Sequence, residues 1–374
     1  MLDDALPPTV KPDLQIGGRA RRRLYIGRIN LEVRQSLSAR YQALILGCAV
    51  LIGLAISAAL LIMAGVKPQA LLDEFVVETF TDSENFHSIL FQAAPLIFVG
   101  VGAAVAFRVR FWNLGIEGQM IWGGIAATFV VLHEIGPPVL RLPLMMIAAV
   151  IAGMVWIMIP TWIRMRLRVN EIITTLLLNY VAFNFLLHLL YGTWKDPKDA
   201  FPHSPQFHAF ERLPEFGWGL SSALLMALVC TALTAWLMLF TRFGFYTKFL
   251  HDNDRMALAV GVPIRAVTLI SVLLSGALSA LAGFVIATAQ EGRLTQSFFQ
   301  GYGFSGILIA FLARNNPIAA MIVAVLVAVL FVSGRSLQVF YQIPFAMVQL
   351  IQAIIVISVA ASEFLMRHRI HWVR

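Results

Sequence analysis

Charge is what this chain has least of. Only 13% of its 374 residues are Asp, Glu, Lys or Arg, against 59% hydrophobic ones, and the mean hydropathy is +0.80. Soluble domains carry roughly a quarter charged residues, so this balance excludes an ordinary water-soluble protein and indicates a polytopic membrane protein. Cysteine is nearly absent as well. Cys48 and Cys230 both sit in apolar runs, with no His or Asp at a ligand spacing, which argues against a disulfide framework, a metal site and redox chemistry. Lysine is scarce, and none of the five follows a glycine, so the chain lacks the Gly-Lys-Ser/Thr element that cradles phosphates. If ATP drives this protein, another chain must bind it. The apolar runs also lack the paired acids and histidines of a proton relay, which weighs against a self-contained ion-coupled carrier, the alternative from a different class. His188 is the one histidine well inside an apolar run and reads as a packing residue.

Two enzymatic readings fail on the same ground. Gly303-Phe304-Ser305-Gly306 matches the Gly-x-Ser-Gly element of intramembrane serine proteases, but the next histidines, His368 and His371, follow the last apolar run. His133-Glu134 lacks the second histidine of a zinc helix. A transport role without catalysis, metal or bound cofactor is the expectation.

What the chain has in plenty is apolar runs long enough to cross about 30 Å of hydrocarbon. They lie near 42–64, 89–107, 113–132, 142–160, 172–191, 220–240, 266–289, 303–312, 317–332 and 344–365. The eighth is too short to cross alone and reads as a half-helix buried in protein. The expected fold is therefore all-α, a polytopic transmembrane bundle of about ten spans including short or re-entrant segments. Residues 1–41 form a basic N-terminal extension, 42–366 the membrane domain and 367–374 a basic tail. The net charge of +8 comes from arginines and lysines at the ends of apolar runs, a pattern of topology determinants rather than of nucleic-acid binding. Lys11 to Arg40, Arg108/Arg110, Arg164/Arg166/Arg168, Arg242/Lys248/Arg255/Arg265 and Arg367/Arg369/Arg374 all fall on one side if both termini are cytoplasmic. Loops on the other side, with Asp73, Glu74, Glu78, Asp82 and Glu84, are acidic or mixed. No cleavable signal precedes Gln42, and Arg19 to Tyr41 could form a basic amphipathic helix along the inner leaflet.

Polar residues inside apolar runs carry the functional signal, because such groups at membrane depth face a protein interior or a watery path. From His87 through Leu132 the only acidic residue is Glu117, within Asn113-Leu114-Gly115-Ile116-Glu117-Gly118-Gln119-Met120. An ion pair with Arg108 or Arg110 is its alternative reading. On a helix starting near Asn170, which would cap it, Glu171, Thr175 and Asn179 recur every four residues and make one polar stripe. Asn113, Glu117, Gln119, Thr175 and Asn179 are the candidate solute-path residues, with interhelical bridging as the other role open to Thr175 and Asn179. Ser275, Ser279 and Gly283, with Gly276 and Ala280, repeat at the spacing of tight helix packing.

Two loops stand out. The stretch from Gly192 to Trp218, with four prolines among charged residues, reads as a structured surface that could receive an external partner or simply be a long loop. In the loop from Thr241 to Arg265, Asn253-Asp254-Arg255-Met256-Ala257-Leu258-Ala259-Val260-Gly261 has an Asn/Asp start and a glycine stop, the marks of a short helix on the cytoplasmic side.

With those segments in hand, the chain resembles the permease subunits of bacterial ATP-binding-cassette importers, in the nucleoside and simple-sugar branch related to ribose and branched-chain amino acid permeases. Asn113 to Met120, Asn170 to Tyr180, Asn253 to Val262, and Gly301-Tyr302-Gly303-Phe304 continuing to Asn315-Asn316-Pro317 carry the resemblance, across about residues 88 to 360. It implies a multi-pass inner-membrane subunit, for a nucleoside first and a simple sugar such as ribose second. It also implies a second permease as partner, a cytoplasmic ATPase that uses the ATP, and an extracytoplasmic solute-binding protein. Asn253, Asp254, Arg255, Ala257, Ala259 and Gly261 would form the helix that couples to the ATPase. The chain departs from the family where His251 and Asp254 stand in place of the usual Gly and Pro, and where Ala313 replaces a frequent Gly.

Overall fold

A computed structural model describes residues 23–26, 29–33, 38–69, 81–216, 220–299 and 301–372. The basic residues Lys11, Arg19, Arg21, Arg22, Arg28, Arg34 and Arg374, and the acidic Asp73, Glu74 and Glu78, lie outside the described set. The chain divides into two compact units, one of residues 1–60 with 353–374 and one of residues 61–352.

In the first unit, strands β1 (Arg23–Ile26) and β2 (Ile29–Val33) form an antiparallel sheet with β3 (His368–Trp372), in the order β1-β2-β3. This corrects the amphipathic helix expected over Arg19 to Tyr41: of that stretch the described residues 23–26 and 29–33 are strands, and helix begins at Ala39. The N-terminal extension and the C-terminal tail, separate in sequence, pair through Ile29 opposite Trp372 and Val33 opposite His368. Helices α1 (Ala39–Met63) and α12 (Phe345–Arg367) approach closely at Gly53, where a Cβ would come within 3.0 Å of the Ile355 Cα.

The second unit is a helical bundle built from α2 (Ser83–Arg108), α3 (Ile116–Leu132), α4 (Pro138–Leu167), α5 (Glu171–Tyr191) and α6 (Ser222–Phe240). Two short helices, α7 (Arg242–Asp252) and α8 (Asp254–Ala259), lead into α9 (Ile264–Val285), α10 (Tyr302–Leu312) and α11 (Pro317–Tyr341). Every expected span is a helix: among the described residues seven are long and apolar enough to cross a membrane, and 116–132, 302–312 and 349–359 are shorter apolar helices. The starts follow local chemistry. Asp82, Asn170, Ser221 and Asn316 each accept backbone N–H bonds from the first turn that follows, and Pro138 and Pro317 occupy first-turn positions where no N–H is needed.

Helices α2 and α9 form the interior. α2 is buried from Gln92 through Phe107 and packs on α6, α9, α10 and α11, while α9 packs on α2, α3 and α4. The small residues expected to pack in the seventh span do so. Gly276 faces the backbone of Gly153 on α4, and Gly283 faces the Met120 carbonyl on α3 so closely that no Cβ fits.

A leucine at Gly283 would drive its side chain into the backbone of α3, a misfit that costs at least about 1–3 kcal/mol. Gly47, with open space around it, is the control. Thermal unfolding of the purified proteins should show a lower midpoint for Gly283→Leu and none of that loss for Gly47→Ala.

Candidate functional site

Two helices begin part-way through the bundle rather than at its ends. After α2 the backbone turns at Arg110, in the left-handed region at φ 56°. Residues 111–115 then run back against α9, so that Asn113 Nδ2 reaches Ser275 Oγ, near the middle of that helix, at 3.1 Å. Asn113 is fully buried and exchanges two bonds with Gln119: its Nδ2 donates to Gln119 Oε1 at 3.1 Å, and Gln119 Nε2 donates to its Oδ1 at 2.9 Å. The same Oδ1 accepts from the Gly115 N–H at 3.0 Å. A span expected to start at Asn113 therefore becomes helical only at Ile116, because the asparagine bonds its own backbone in competition with the helix.

The polar stripe of α5 is buried against this segment. Asn179 Oδ1 accepts from the Gly118 N–H at 2.9 Å, and its Nδ2 donates to the Leu114 carbonyl at 2.8 Å. Thr175 Oγ1 accepts from the Leu114 N–H at 3.3 Å and donates to the Glu171 carbonyl at 2.6 Å. Asn113, Gln119, Thr175 and Asn179 thus come together in one network, their polar atoms bonded to each other and to backbone. Gly118 is a requirement of that network, since a Cβ there would lie 2.9 Å from both Asn179 Oδ1 and Trp156 Nε1.

Glu117 lies outside this network. Its side chain packs on Gly303, and the backbone N–H of Phe304 faces its carboxylate, at the first turn of α10. A carboxylate at a helix start meets unpaired N–H groups and the positive end of the dipole. Arg110 points elsewhere, donating through Nε to the His251 carbonyl at 3.0 Å and through Nη2 to the Asp252 carbonyl at 3.3 Å. Ser305, the serine of the protease-like tetrapeptide, donates its hydroxyl to the Gly301 carbonyl of its own helix at 2.6 Å. Close by, a second buried polar cluster joins three elements that sequence reasoning did not connect. Gln92 Nε2 donates to Tyr302 Oη at 2.6 Å, Tyr302 donates to Gln290 Oε1 at 2.9 Å, and Gln290 lies in the π-helical turn Ile286–Gln290 that ends α9. Residues 210 apart in sequence left no periodic signal of it.

The short helix expected after Asn253 is α8. Asn253 Oδ1 accepts from the Arg255 N–H at 3.0 Å and the Met256 N–H at 3.2 Å, and Gly261 terminates the element at φ +79°. Ala257 is buried, Arg255 and Ala259 are exposed, and the backbone alone of Asp254 is described. Met256, Leu258 and Val260 are 55–63% exposed, so this short helix leaves apolar side chains uncovered around most of its circumference. Behind them runs a chain of contacts that no motif announced. Arg110 holds the end of α7, Arg164 of α4 donates to the Arg110 carbonyl at 3.3 Å, and Arg164 pairs with Glu171 at 3.0 Å, in the first turn of α5.

At the other end of the bundle the proline-rich loop is structured. Glu211, wholly buried, pairs with Arg141 of α4 at 2.8 Å and also accepts from the His208 N–H. The Ser204 N–H donates to the Leu294 carbonyl at 2.9 Å, and the Phe207 N–H to the Gly292 carbonyl at 2.8 Å. The His203 imidazole, bonded to Asp199 at 2.7 Å, holds that carboxyl below its usual range. Of this loop, residues 217–219 lie outside the described set.

Replacing Asn179 by leucine removes both partners of Gly118 N–H and Leu114 O while keeping an apolar side chain of similar size. Each buried group left unpaired costs about 1–3 kcal/mol. Purified Asn179→Leu protein should unfold at a clearly lower temperature than the parent chain; an unchanged midpoint would show that water replaces these bonds.

Residues 85–360 match the family model described as "Branched-chain amino acid transport system / permease component". The glucose ABC transporter permease protein TsgB13 of Haloferax volcanii is 35% identical over 86% of this chain and 88% of its own length. The guanosine ABC transporter permease protein NupP of Bacillus subtilis is 28% identical, over 84% and 92%. The nucleoside ABC transporter permease protein NupB of Lactococcus lactis is 25% identical, over 75% and 81%. With ten apolar helices among its described residues, a half-length α10 and a match over most of its length, the chain belongs to this family of membrane permease components of ATP-binding-cassette transporters.

Proposed function

We propose that this chain is the membrane half of a nucleoside importer, working beside a second permease, driven by a cytoplasmic ATPase and supplied by an extracytoplasmic solute-binding protein. The observation that carries the solute class is the agreement of permeases named for guanosine and for nucleosides, from two organisms, over most of the chain. A simple sugar is the second reading, favoured by the 35% identity with a glucose permease. Both solutes are uncharged and polyhydroxylated. Pairing with a different permease is supported by NupQ, a second guanosine permease protein of Bacillus subtilis that also matches this chain, at 26% identity.

In this proposal the basic side of the bundle is cytoplasmic and the ATPase docks on α8. Met256, Leu258 and Val260 supply apolar contact, and Arg255 fixes register through charge. Movement of α8 and α7 is passed by Arg110 to Arg164 and Glu171, and so to the start of α5. Asn113, Gln119, Thr175 and Asn179 make α3 and α5 move together beside the path, and Glu117 ties α10 to the same unit. ATP needs no site on this chain, since its hydrolysis belongs to the partner.

The test is purification of the tagged chain from native membranes in mild detergent, identification of bound proteins, and reconstitution with ATP inside the vesicles. The expected result is co-purification of an ATPase and a second permease, with ATP-dependent guanosine uptake well above that of glucose. A chain that transports alone in a proton or sodium gradient would contradict the proposal. In the assembled complex, Arg255→Glu should lower uptake at least about tenfold, as expected where a coupling contact worth more than about 1.4 kcal/mol is lost, with the amount in the membrane unchanged; normal uptake by this variant would remove α8 from the coupling role.

A further inference from the structure

Helix α5 has two polar faces, and only one of them is buried among the described residues. Glu171, Thr175, Asn179, Ala182, Leu186 and Leu190 form its buried face. At about 100° per residue, Tyr180, Asn184, His188 and Tyr191 fall within an arc of about 80° on the opposite side. Tyr180 is 62% and Tyr191 64% exposed, and Asn184 and His188 are exposed as well. The four cover about 16 Å of helix, in the half nearer the Arg141–Glu211 end of the bundle. The inner half of the same face carries Ile173 and Leu177, both apolar and exposed.

Other membrane-length helices expose a different surface. Between Pro143 and Trp162 the exposed residues of α4, such as Ile147, Ile151 and Val155, are all apolar, and those of α6, such as Leu225, Val229 and Leu233, are too. Those faces suit lipid tails. A carboxamide, an imidazole and two phenols in a row do not, because hydrocarbon offers them no hydrogen-bond partner. Among the described residues Asn184 makes one side-chain bond, donating an amide hydrogen to the Tyr180 carbonyl at 2.8 Å, and its carbonyl oxygen is left for water or solute. The stripe carries no Asp, Glu, Lys or Arg, so the molecule it meets is uncharged. Two aromatic rings beside a carboxamide and an imidazole offer flat faces for stacking and donors and acceptors for ring edges.

We propose that the Tyr180, Asn184, His188 and Tyr191 face of α5 lines the outer half of a water-filled solute path, where it contacts an uncharged ring-bearing solute. The assignment rests on the importer reading above. It moves solute contact away from Thr175 and Asn179, whose polar atoms are committed to α3, to the opposite side of the same helix. His188 is then a path residue rather than a packed one.

Cysteine accessibility tests this directly. The two native cysteines, both free, are replaced by alanine, and single cysteines are placed at Asn184 and His188, with Ile151 and Leu233 as lipid-facing controls. The assembled complex in sealed vesicles is treated with a membrane-impermeant methanethiosulfonate, with and without saturating guanosine, then glucose. At Asn184→Cys and His188→Cys, labelling should be at least about tenfold faster than at the controls, as for groups facing water inside a membrane protein. It should slow when solute is present and should block uptake. Labelling as slow as at the controls, or fast labelling indifferent to both solutes and harmless to uptake, would overturn the proposal. Because labelling is read without transport, the two failures separate: an unlabelled stripe in a complex with ATP-driven uptake defeats the path assignment alone, whereas loss of ATP dependence in the parent complex defeats the importer reading.

Discussion

Backbone and carboxamide groups buried away from water must find partners, and the segment from Asn113 to Gln119, most of it buried, brings several such groups into an apolar bundle. The constraint is met by side chains. Asn113 satisfies the Gly115 N–H and shares two bonds with Gln119, while Asn179 satisfies Gly118 and Leu114. Other features depend on that solution. Because this segment is held, α3 starts inside the bundle, Glu117 is placed against the first turn of α10, and α5 presents one face to α3 and leaves its other face outward.

Much of this was legible in the sequence. Each of the ten expected apolar runs is a helix among the described residues, seven of them long enough to cross a membrane, since hydrocarbon thickness sets helix length. The short run ending at Leu312 announced a half-helix, and Asn253 with Gly261 announced α8, because an asparagine start and a glycine stop are local chemistry. The four-residue spacing of Glu171, Thr175 and Asn179 correctly put them on one face. The same spacing in Tyr180, Asn184 and His188 was there to be read, but a helix apolar nearly all round does not reveal which of its faces is covered. Only the position of α3 decides that Asn179 is bonded and His188 exposed.

Other features had no local signal. The pairing of residues 29–33 with 368–372 joins the two ends of the chain; Ile29, Leu31 and Val33 do alternate with polar residues as in a strand, but so short a run does not name a partner so far away in sequence. The tie of Arg110 to the end of α7, and of Arg164 to Glu171, links basic clusters that a positive-inside count groups on one side without joining them. These ties link the short helices α7 and α8 to the start of α5, the contacts through which the proposed coupling would act.

The central claim is therefore geometric: in the proposed importer α5 turns its outer polar face toward the solute path, and α4 and α6 turn their apolar faces toward lipid. A single-particle structure of the assembled complex in lipid nanodiscs measures this most directly. The account predicts that Asn184 and His188 border a central aqueous cavity and that Ile151 and Leu233 lie against the lipid annulus. A complex in which the Asn184 face of α5 meets lipid, with the cavity bounded by other helices, would contradict it.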